Sequence, residues 1–319
     1  MEQSLFINLL MDEAISSSIL DGAEITPPAA NEMLRGGRKP KSHAERIVVN
    51  NYQALQFMLT RKDIPLTRDL ILDVQRIVTQ GTVEDTCVGK FRTDNDIVAA
   101  ESNAGMLYYT PLDFREIGNF IEEFCTFANK EQNRIKESPG LFIHPVIKGI
   151  LLLYLLEYYN PFKKGNGRTA RTIFYWFMLS CDYWIFEYLS VSSVLLKSRE
   201  KYERSYLTTI SDENDLTYFL LYTTSCIVQA LNDTLKFLEQ KQTEQNATKA
   251  IIKNIDGLNQ RQADILREMM EHNDEFYSIR KIMLMYSVVY ETARTDLLDL
   301  EKRGFLTKLK RGREFLYTF

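Results

Sequence analysis

The chain has 319 residues, 45% of them hydrophobic and 26% charged, with a formal net charge of -4; that is material for a sizeable core and, by length, roughly two to three domains, with no global field favouring nucleic acid or an anionic membrane. The acidic start around Glu2, Asp12 and Glu13 lacks the basic region and cleavage site of a secretory signal, and the densest apolar run, 149–156, is far shorter than a membrane span. Cys87, Cys125, Cys181 and Cys226 are too scattered for a disulfide framework or a zinc site, so a reducing, cytoplasmic setting is expected.

Helical periodicity dominates. Residues 3–20 read as an amphipathic helix, 22–46 as a long loop or short helices around Pro27-Pro28 and Gly36-Gly37, and 47–60 as a return to apolar helical spacing. Further helices are expected over Asp69–Val78 and Phe114–Asn129, started near Thr67 and Asp113. Between them, roughly Asp96–Pro111, Ile97-Val98 and Leu107-Tyr108-Tyr109 flank Asn103-Ala104-Gly105 as a β-hairpin. An apolar helix opened by His144-Pro145 follows, then a helix through Thr172–Cys181, a long helix over Leu216–Leu238, and a polar stretch, 239–249, expected to be a linker. Residues 259–319 read as helices near 259–271, 278–285 and 289–303, then strands at Phe305-Leu306 and Phe315-Leu316-Tyr317 around Arg311-Gly312-Arg313.

The segment richest in chemistry is Asn160-Pro161-Phe162-Lys163-Lys164-Gly165-Asn166-Gly167-Arg168-Thr169-Ala170-Arg171. Gly165 and Gly167 permit a sharp turn and close approach to a ligand, so that N–H groups around Asn166 converge as an anion nest. A helix starting near Thr169 would add its positive end, and Arg168 and Arg171, sharing a face, would neutralise phosphate oxygens. Taken alone, a Gly-Asn-Gly turn with two solvated arginines is the plain alternative.

The pattern resembles the signature of the Fic (Fido) family, His-Pro-Phe-x-[Asp/Glu]-Gly-Asn-Gly-Arg-x-x-Arg, at Pro161, Phe162, Gly165, Asn166, Gly167, Arg168 and Arg171. Gly89-Lys90-Phe91-Arg92 and the flap-like Tyr108-Tyr109-Thr110-Pro111 extend the likeness over most of residues 10–210. The resemblance implies a mainly α fold, the Fic/Fido helical fold with a small β-hairpin flap, that moves a phosphate-bearing group, usually AMP from ATP, onto a protein hydroxyl. It further implies that the motif histidine is the general base, that the motif acid holds Mg²⁺, and that the flap holds the target chain by strand addition. Tyr108 and Tyr109 would clamp that target or, equally, pack on the core, and Tyr202 would line the adenine pocket.

Two departures strike the chemistry. The histidine position is Asn160, whose amide has no basic nitrogen and cannot take a proton; a positioned base contributes about 10² to 10⁴ in rate. The acid position is Lys164, an ammonium where Mg²⁺ needs an oxygen ligand. No other histidine substitutes: His144 would lie roughly 24 Å from Asn160 along a continuous helix and reads as that helix's cap, while His43 and His272 read as surface residues. Lys164 could instead pair with a phosphate oxygen, giving nucleotide binding without metal. ATP is therefore the expected ligand, Mg²⁺ is doubtful, no metal site is assigned, and adenylyl transfer is expected to be weak or lost.

Ser16-Ser17-Ser18-Ile19-Leu20-Asp21-Gly22 resembles the family's inhibitory helix pattern, [Ser/Thr]-x-x-x-Glu-[Gly/Asn], at Ser17 and Asp21. The resemblance implies that Asp21 pairs with Arg171 and blocks the terminal phosphate, through an arm one methylene short that would loosen the contact. The alternative is a helix end with Gly22 as its terminal glycine and Asp21 solvated.

The C-terminal segment resembles a winged helix-turn-helix, with Lys308, Lys310, Arg311 and Arg313 as an acid-free stripe suited to DNA phosphates. Glu291, Asp296, Asp299 and Glu301 on its third helix argue for a protein-contact or homodimer role instead. The expected organisation is 1–60, an N-terminal helical region; 67–212, the Fic/Fido core; 213–248, helix and linker; and 255–319, the winged helix-turn-helix. Two function classes follow: a nucleotide-dependent modifier of an unknown protein target, or a non-catalytic regulator acting through the winged helix.

Overall fold

Every residue of one helix, from Arg168 to Leu179, is buried, and the first half of the molecule is arranged around it. The computed structural model describes residues 2–96, 101–102, 105–106, 111–130, 142–253, 257–271, 276–311 and 314–319. Two compact units divide the chain, Met1–Thr234 and Leu235–Phe319.

In the first unit, α1 (Glu2–Leu20), α2 (Pro27–Arg35), α3 (His43–Leu59) and α4 (Arg68–Thr79) precede a two-stranded antiparallel hairpin, β1 (Glu101–Ser102) with β2 (Gly105–Met106). After it come α5 (Ile117–Asn129), α6 (Pro145–Tyr159), α7 (Asn166–Ser180), α8 (Val191–Lys197), α9 (Arg199–Ser211) and α10 (Thr217–Lys253), of which residues 217–234 belong to this unit and 235–253 to the second. The central helix is α7, and being enclosed on all sides is why its sequence is apolar or aromatic throughout Ile173–Leu179. Helix α6 lies close against it at Gly149, where a Cβ would meet Met178 Sδ at 2.9 Å and the Phe174 ring at 3.3 Å. His144 caps α6 as expected, its Nδ1 accepting from Val146 N at 3.2 Å, with Pro145 in the first turn.

Helix α1 differs from the expected amphipathic form. Leu10, Met11, Ala14 and Ile15 are buried, but so are Glu13, Ser16, Ser17 and Ser18. It is wedged between α3 and α8 with its C-terminal end against α7, so it has no solvent face there. The polar groups are satisfied internally: Ser18 Oγ donates to Ala14 O at 2.7 Å, and Asn51 Nδ2 donates to the same carbonyl at 3.0 Å. The Glu13 carboxylate accepts from Tyr175 OH at 2.8 Å, Ser190 Oγ at 3.2 Å, Ser192 N at 2.9 Å and Ser192 Oγ. Burial raises its pKa although those donors oppose the rise.

Within 22–46, expected as a long loop or short helices, the short helix α2 starts at Pro27, and α3 starts at His43 behind Ser42, whose side chain accepts from Glu45 N; His43 is therefore a helix residue, its Nε2 2.9 Å from Thr82 O. The expected linker, 239–249, lies inside α10. It is rich in Glu, Lys and Gln and contains no Gly or Pro, so nothing breaks the helix although the stretch is nearly free of apolar residues.

The second unit contains α11 (Gln260–Glu271), β3 (Tyr277–Ser278), α12 (Ile279–Met285), α13 (Tyr290–Lys302), β4 (Thr307–Arg311) and β5 (Glu314–Thr318). Its antiparallel sheet has the order β3-β5-β4. Ile265, Leu266, Tyr277, Ile282, Leu297, Leu300 and Tyr317 form its core. The strand expected at Phe305-Leu306 begins instead at Thr307, after the turn at Gly304 with φ 79°. The pairing of Tyr277 with Tyr317 had no signal in a strand so short.

Because Glu13 joins α1 to α7 and α8 through four donors, Glu13→Ala orphans buried groups and is expected to cost about 3 kcal/mol. Urea unfolding of the full chain measures this; a loss below about 1 kcal/mol would contradict the anchoring role.

Candidate functional site

The cradle forms where α6 ends and α7 begins. Asn160 closes α6 in the left-handed region, φ 45° and ψ 62°, a conformation asparagine tolerates. Gly165, at φ 82°, is the N-cap of α7, and a Cβ on it would lie 2.8 Å from Thr79 Cγ2. The Asn166 side chain clasps the intervening loop: its Oδ1 accepts from Phe162 N at 3.0 Å and its Nδ2 donates to Phe162 O at 2.8 Å. Helix α7 therefore starts at Asn166, not near Thr169, and Gly167 and Arg168 stand in its first turn, where N–H groups point out of the helix. A positive helix end faces the cradle.

Buried supports hold this loop. Arg92 donates from Nε to Asn160 O at 2.8 Å, and its backbone N donates to Pro161 O at 3.0 Å. The same guanidinium binds Asp94 O, Asn95 Oδ1 and Leu112 O. Arg92 thus ties the motif to both ends of the segment that carries the hairpin. Gln75, fully buried, donates to Lys164 O at 3.2 Å and accepts from Gly89 N at 2.5 Å.

The electrostatic centre is Arg171, whose side chain is 6% exposed. Its Nε donates to Ser17 Oγ at 2.7 Å, its Nη2 to Ser17 O at 3.0 Å and to Asp21 Oδ1 at 2.5 Å, and its Nη1 to Glu157 Oε1 at 3.2 Å. Asp21 also reaches Arg168 Nε at 3.1 Å, while Arg168 Nη1 donates to Val78 O at 2.6 Å. The shorter arm of aspartate does not loosen the contact; it bridges both arginines. Gly22 is indeed the terminal glycine of α1, at φ 89° with Ala23 N bonded to Ser18 O and Gly22 N to Ile19 O, and this turn aims Asp21 inward rather than leaving it solvated. A Cβ on Gly167 would lie 2.8 Å from Asp21 Oδ1 and 2.9 Å from Arg171 Nη1. A carboxylate thus rests on the glycine cradle between two guanidiniums.

The pKa directions follow this arrangement. Burial pushes Asp21 up, but Arg171 and Arg168 outweigh it and leave the carboxyl below its ordinary value. Its charge therefore contributes stability above the usual carboxylate range that is lost as pH falls through the depressed value. Glu157, also in this network, is pushed up to about 7 by burial, against the pull of Arg171 and of Tyr202, whose hydroxyl donates to Glu157 Oε2 at 2.6 Å.

Residues 65–178 match the family model described as the Fic/DOC family. This segment is a Fic domain. The whole chain is similar in fold to a Fic family protein from Desulfovibrio desulfuricans G20, with a TM-score of 0.65 at 15% identity over 100% of this chain and 90% of that one. A Fic domain containing signaling protein from Bacteroides thetaiotaomicron gives 0.57 at 19% identity over 73% and 88%. Fic-1 from C. elegans gives 0.57 at 17% identity over 72% of this chain and 64% of that one. Identities this low speak for shared fold.

The Fic domain and α1 bring together Asn160, Lys164, Gly165, Asn166, Gly167, Arg168, Arg171, Ser17 and Asp21, and Tyr202 joins through Glu157. Lys164 is exposed and Lys163 is bonded to Asp94 at 2.6 Å. Tyr108, Tyr109, Arg313 and His272 lie outside the described residues, and of Arg311 the backbone alone, in β4, is described. Lys310 is exposed in the second unit, whereas Lys308 is 3.6 Å from Glu301 and lies over the Phe315 ring. Sequence reasoning missed Glu157, Gln75 and Glu13. The available signal for Glu157 was a lone acid in the otherwise apolar and aromatic run Leu151–Tyr159, since acids are rarely buried unless paired. No helix of the described residues is long and apolar enough to cross a membrane.

Gly167→Ala is expected to destabilise the parent chain by about 1–2 kcal/mol through its close approach to Asp21 and Arg171, and to cost less in an Asp21→Gly background, where only the contact with Arg171 remains and alanine's helix preference opposes it. Denaturant titration of the four chains reads this coupling; equal costs in both backgrounds would contradict the seating of Asp21.

Proposed function

We propose that this protein binds ATP or a related nucleotide by its phosphates at the Gly165–Arg171 cradle, with protein adenylylation impaired or lost and with Ser17 and Asp21 blocking the cradle. The observation that carries this reading is the Asp21 carboxylate itself: a resident anion rests on Gly167, held by Arg168 and Arg171. The two guanidiniums that hold it, and the helix end and glycine beside it, are of the kind that binds phosphate.

The chemistry beyond binding is reduced. Asn160 can orient a hydroxyl but cannot accept its proton at neutral pH. The donor set does not fit Mg²⁺, because Lys164 presents donors where a hard cation needs oxygen, and no step is routed through a metal. Lys164, exposed beside the cradle, supplies positive charge in its place.

A second reading, a regulator acting through the second unit as a winged helix, draws on the acids of α13. Asp296 is buried with Arg261 and Asn259, Asp299 is bonded to Arg303 and Gln262, and Glu301 lies beside Lys308, so these charges are engaged within the unit. Duplex binding by the full chain, followed by anisotropy, should then fall steeply with salt; absence of binding at about 50 mM salt would contradict this reading.

For the first reading, ATP should raise the melting temperature of the Asp21→Gly chain with or without Mg²⁺, as a ligand selective for the folded state must, by about 2.7 kcal/mol of stability at about 100 times Kd. The parent should shift less, and Asp21→Gly with Arg171→Ala should not shift. No shift of Asp21→Gly at millimolar ATP would contradict nucleotide binding. Adding Asn160→His and Lys164→Asp to Asp21→Gly should restore transfer of label from α-labelled ATP; a triple variant that binds ATP but stays inert would contradict the assignment of the loss to these two positions.

A further inference from the structure

Glu157 belongs to no part of the motif, yet it faces the same guanidinium as Asp21 from the opposite side. It sits in the last turn of α6, three residues before Asn160, with its side chain 13% exposed. The groups facing it are Arg171 of α7 and Tyr202 of α9, with the Asp21 charge just after α1 acting on it from across Arg171, which also holds Ser17 of α1. Arg171 gives its Nη1 to Glu157 and its Nε and Nη2 to α1. When Asp21 leaves, Nη2 loses its carboxylate, while Ser17 still accepts from Nε and Nη2 and Glu157 from Nη1.

We propose that Glu157 is the resident counter-ion and positioning residue of the cradle: it fixes Arg171 by one edge and competes electrostatically with any phosphate bound at the other. The inference rests on the nucleotide-binding reading and specifies how that site is tuned. Two arginines against one carboxylate leave a single net positive charge for the ligand, whereas the same arginines against a neutral carboxyl leave two. An arriving phosphate therefore favours the protonated form of Glu157, and by linkage a proton on Glu157 favours the phosphate. Tyr202 works in the opposite direction, because its hydroxyl donates to Oε2 and stabilises the charged form. With Asp21 in place burial has raised the pKa of this carboxyl to about 7, and the Asp21 charge adds to the rise, so removal of Asp21 lowers it and an arriving phosphate raises it again.

Isothermal titration of the full Asp21→Gly chain with ATP, and separately with inorganic triphosphate, tests this at several pH values between about 6 and 8.5 in two buffers of different ionisation enthalpy. Binding should take up a fraction of a proton near neutrality, and apparent Kd should rise about fivefold or more across the range relative to a Glu157→Gln partner. That partner should bind tightly throughout with no uptake assigned to this site; ligand ionisation is common to both chains and cancels in the comparison. Tyr202→Phe, which leaves the carboxylate in place, should move the weakening of affinity to higher pH. Identical pH profiles in the parent and both variants, or weaker binding by Glu157→Gln at the alkaline end, would overturn the proposal. Absence of binding by every chain at millimolar ligand would instead overturn the nucleotide-binding reading, and this inference with it.

Discussion

A guanidinium buried in the middle of a helical unit must be neutralised, and most of the site follows from how Arg171 meets that demand. Its helix has no solvent face to offer, and an isolated charge there would cost several kcal/mol. The N-terminal end of α7 and Arg168 add positive potential of their own. Carboxylates from two other elements, Asp21 after α1 and Glu157 of α6, converge to balance it. Ser17 of α1 completes the hydrogen bonding through its hydroxyl and carbonyl oxygens, so the packing of the first helix and the occupation of the cradle are one electrostatic problem.

The two carboxylates are not equivalent. Asp21 lies just beyond the last turn of α1, behind a glycine turn at the molecular surface, with its side chain 20% exposed. The body of α1 is fixed through Glu13 on the other side. Departure of Asp21 therefore requires unwinding of a helix end, not removal of the helix, and such ends are the least costly parts of a fold to open. Glu157, by contrast, is carried on a core helix and stays with the arginine. The loop itself is held independently by Arg92, Gln75 and the Asn166 clasp, which accounts for a formed cradle despite the replacement of the proton-accepting and metal-binding side chains by Asn160 and Lys164.

Much of this was legible in the residues. The motif's glycines and arginines and the capping of α6 by His144 could be read because local chemistry fixes them, through left-handed turns and helix caps, whereas the meeting of Asp21 with Arg171 was legible only as what the family resemblance implies. Three features could not. The all-round burial of α1 is imposed by α3 and α8, which periodicity along one helix does not reveal. Glu157 and Gln75 act across elements distant in sequence, where a single acid or amide in an apolar run signals burial but not its partner. The helical continuation through 239–249 was misread because polarity was weighed above the absence of a breaker.

The central claim is that the place now taken by the Asp21 carboxylate is a phosphate site. A crystal structure of the Asp21→Gly chain grown with inorganic triphosphate tests it most directly. The account predicts a phosphate oxygen about 3 Å from Arg171 Nη2 and against Gly167, with Nη1 still on Glu157. A triphosphate bound elsewhere, or Arg171 folded away to close the cradle, would contradict it.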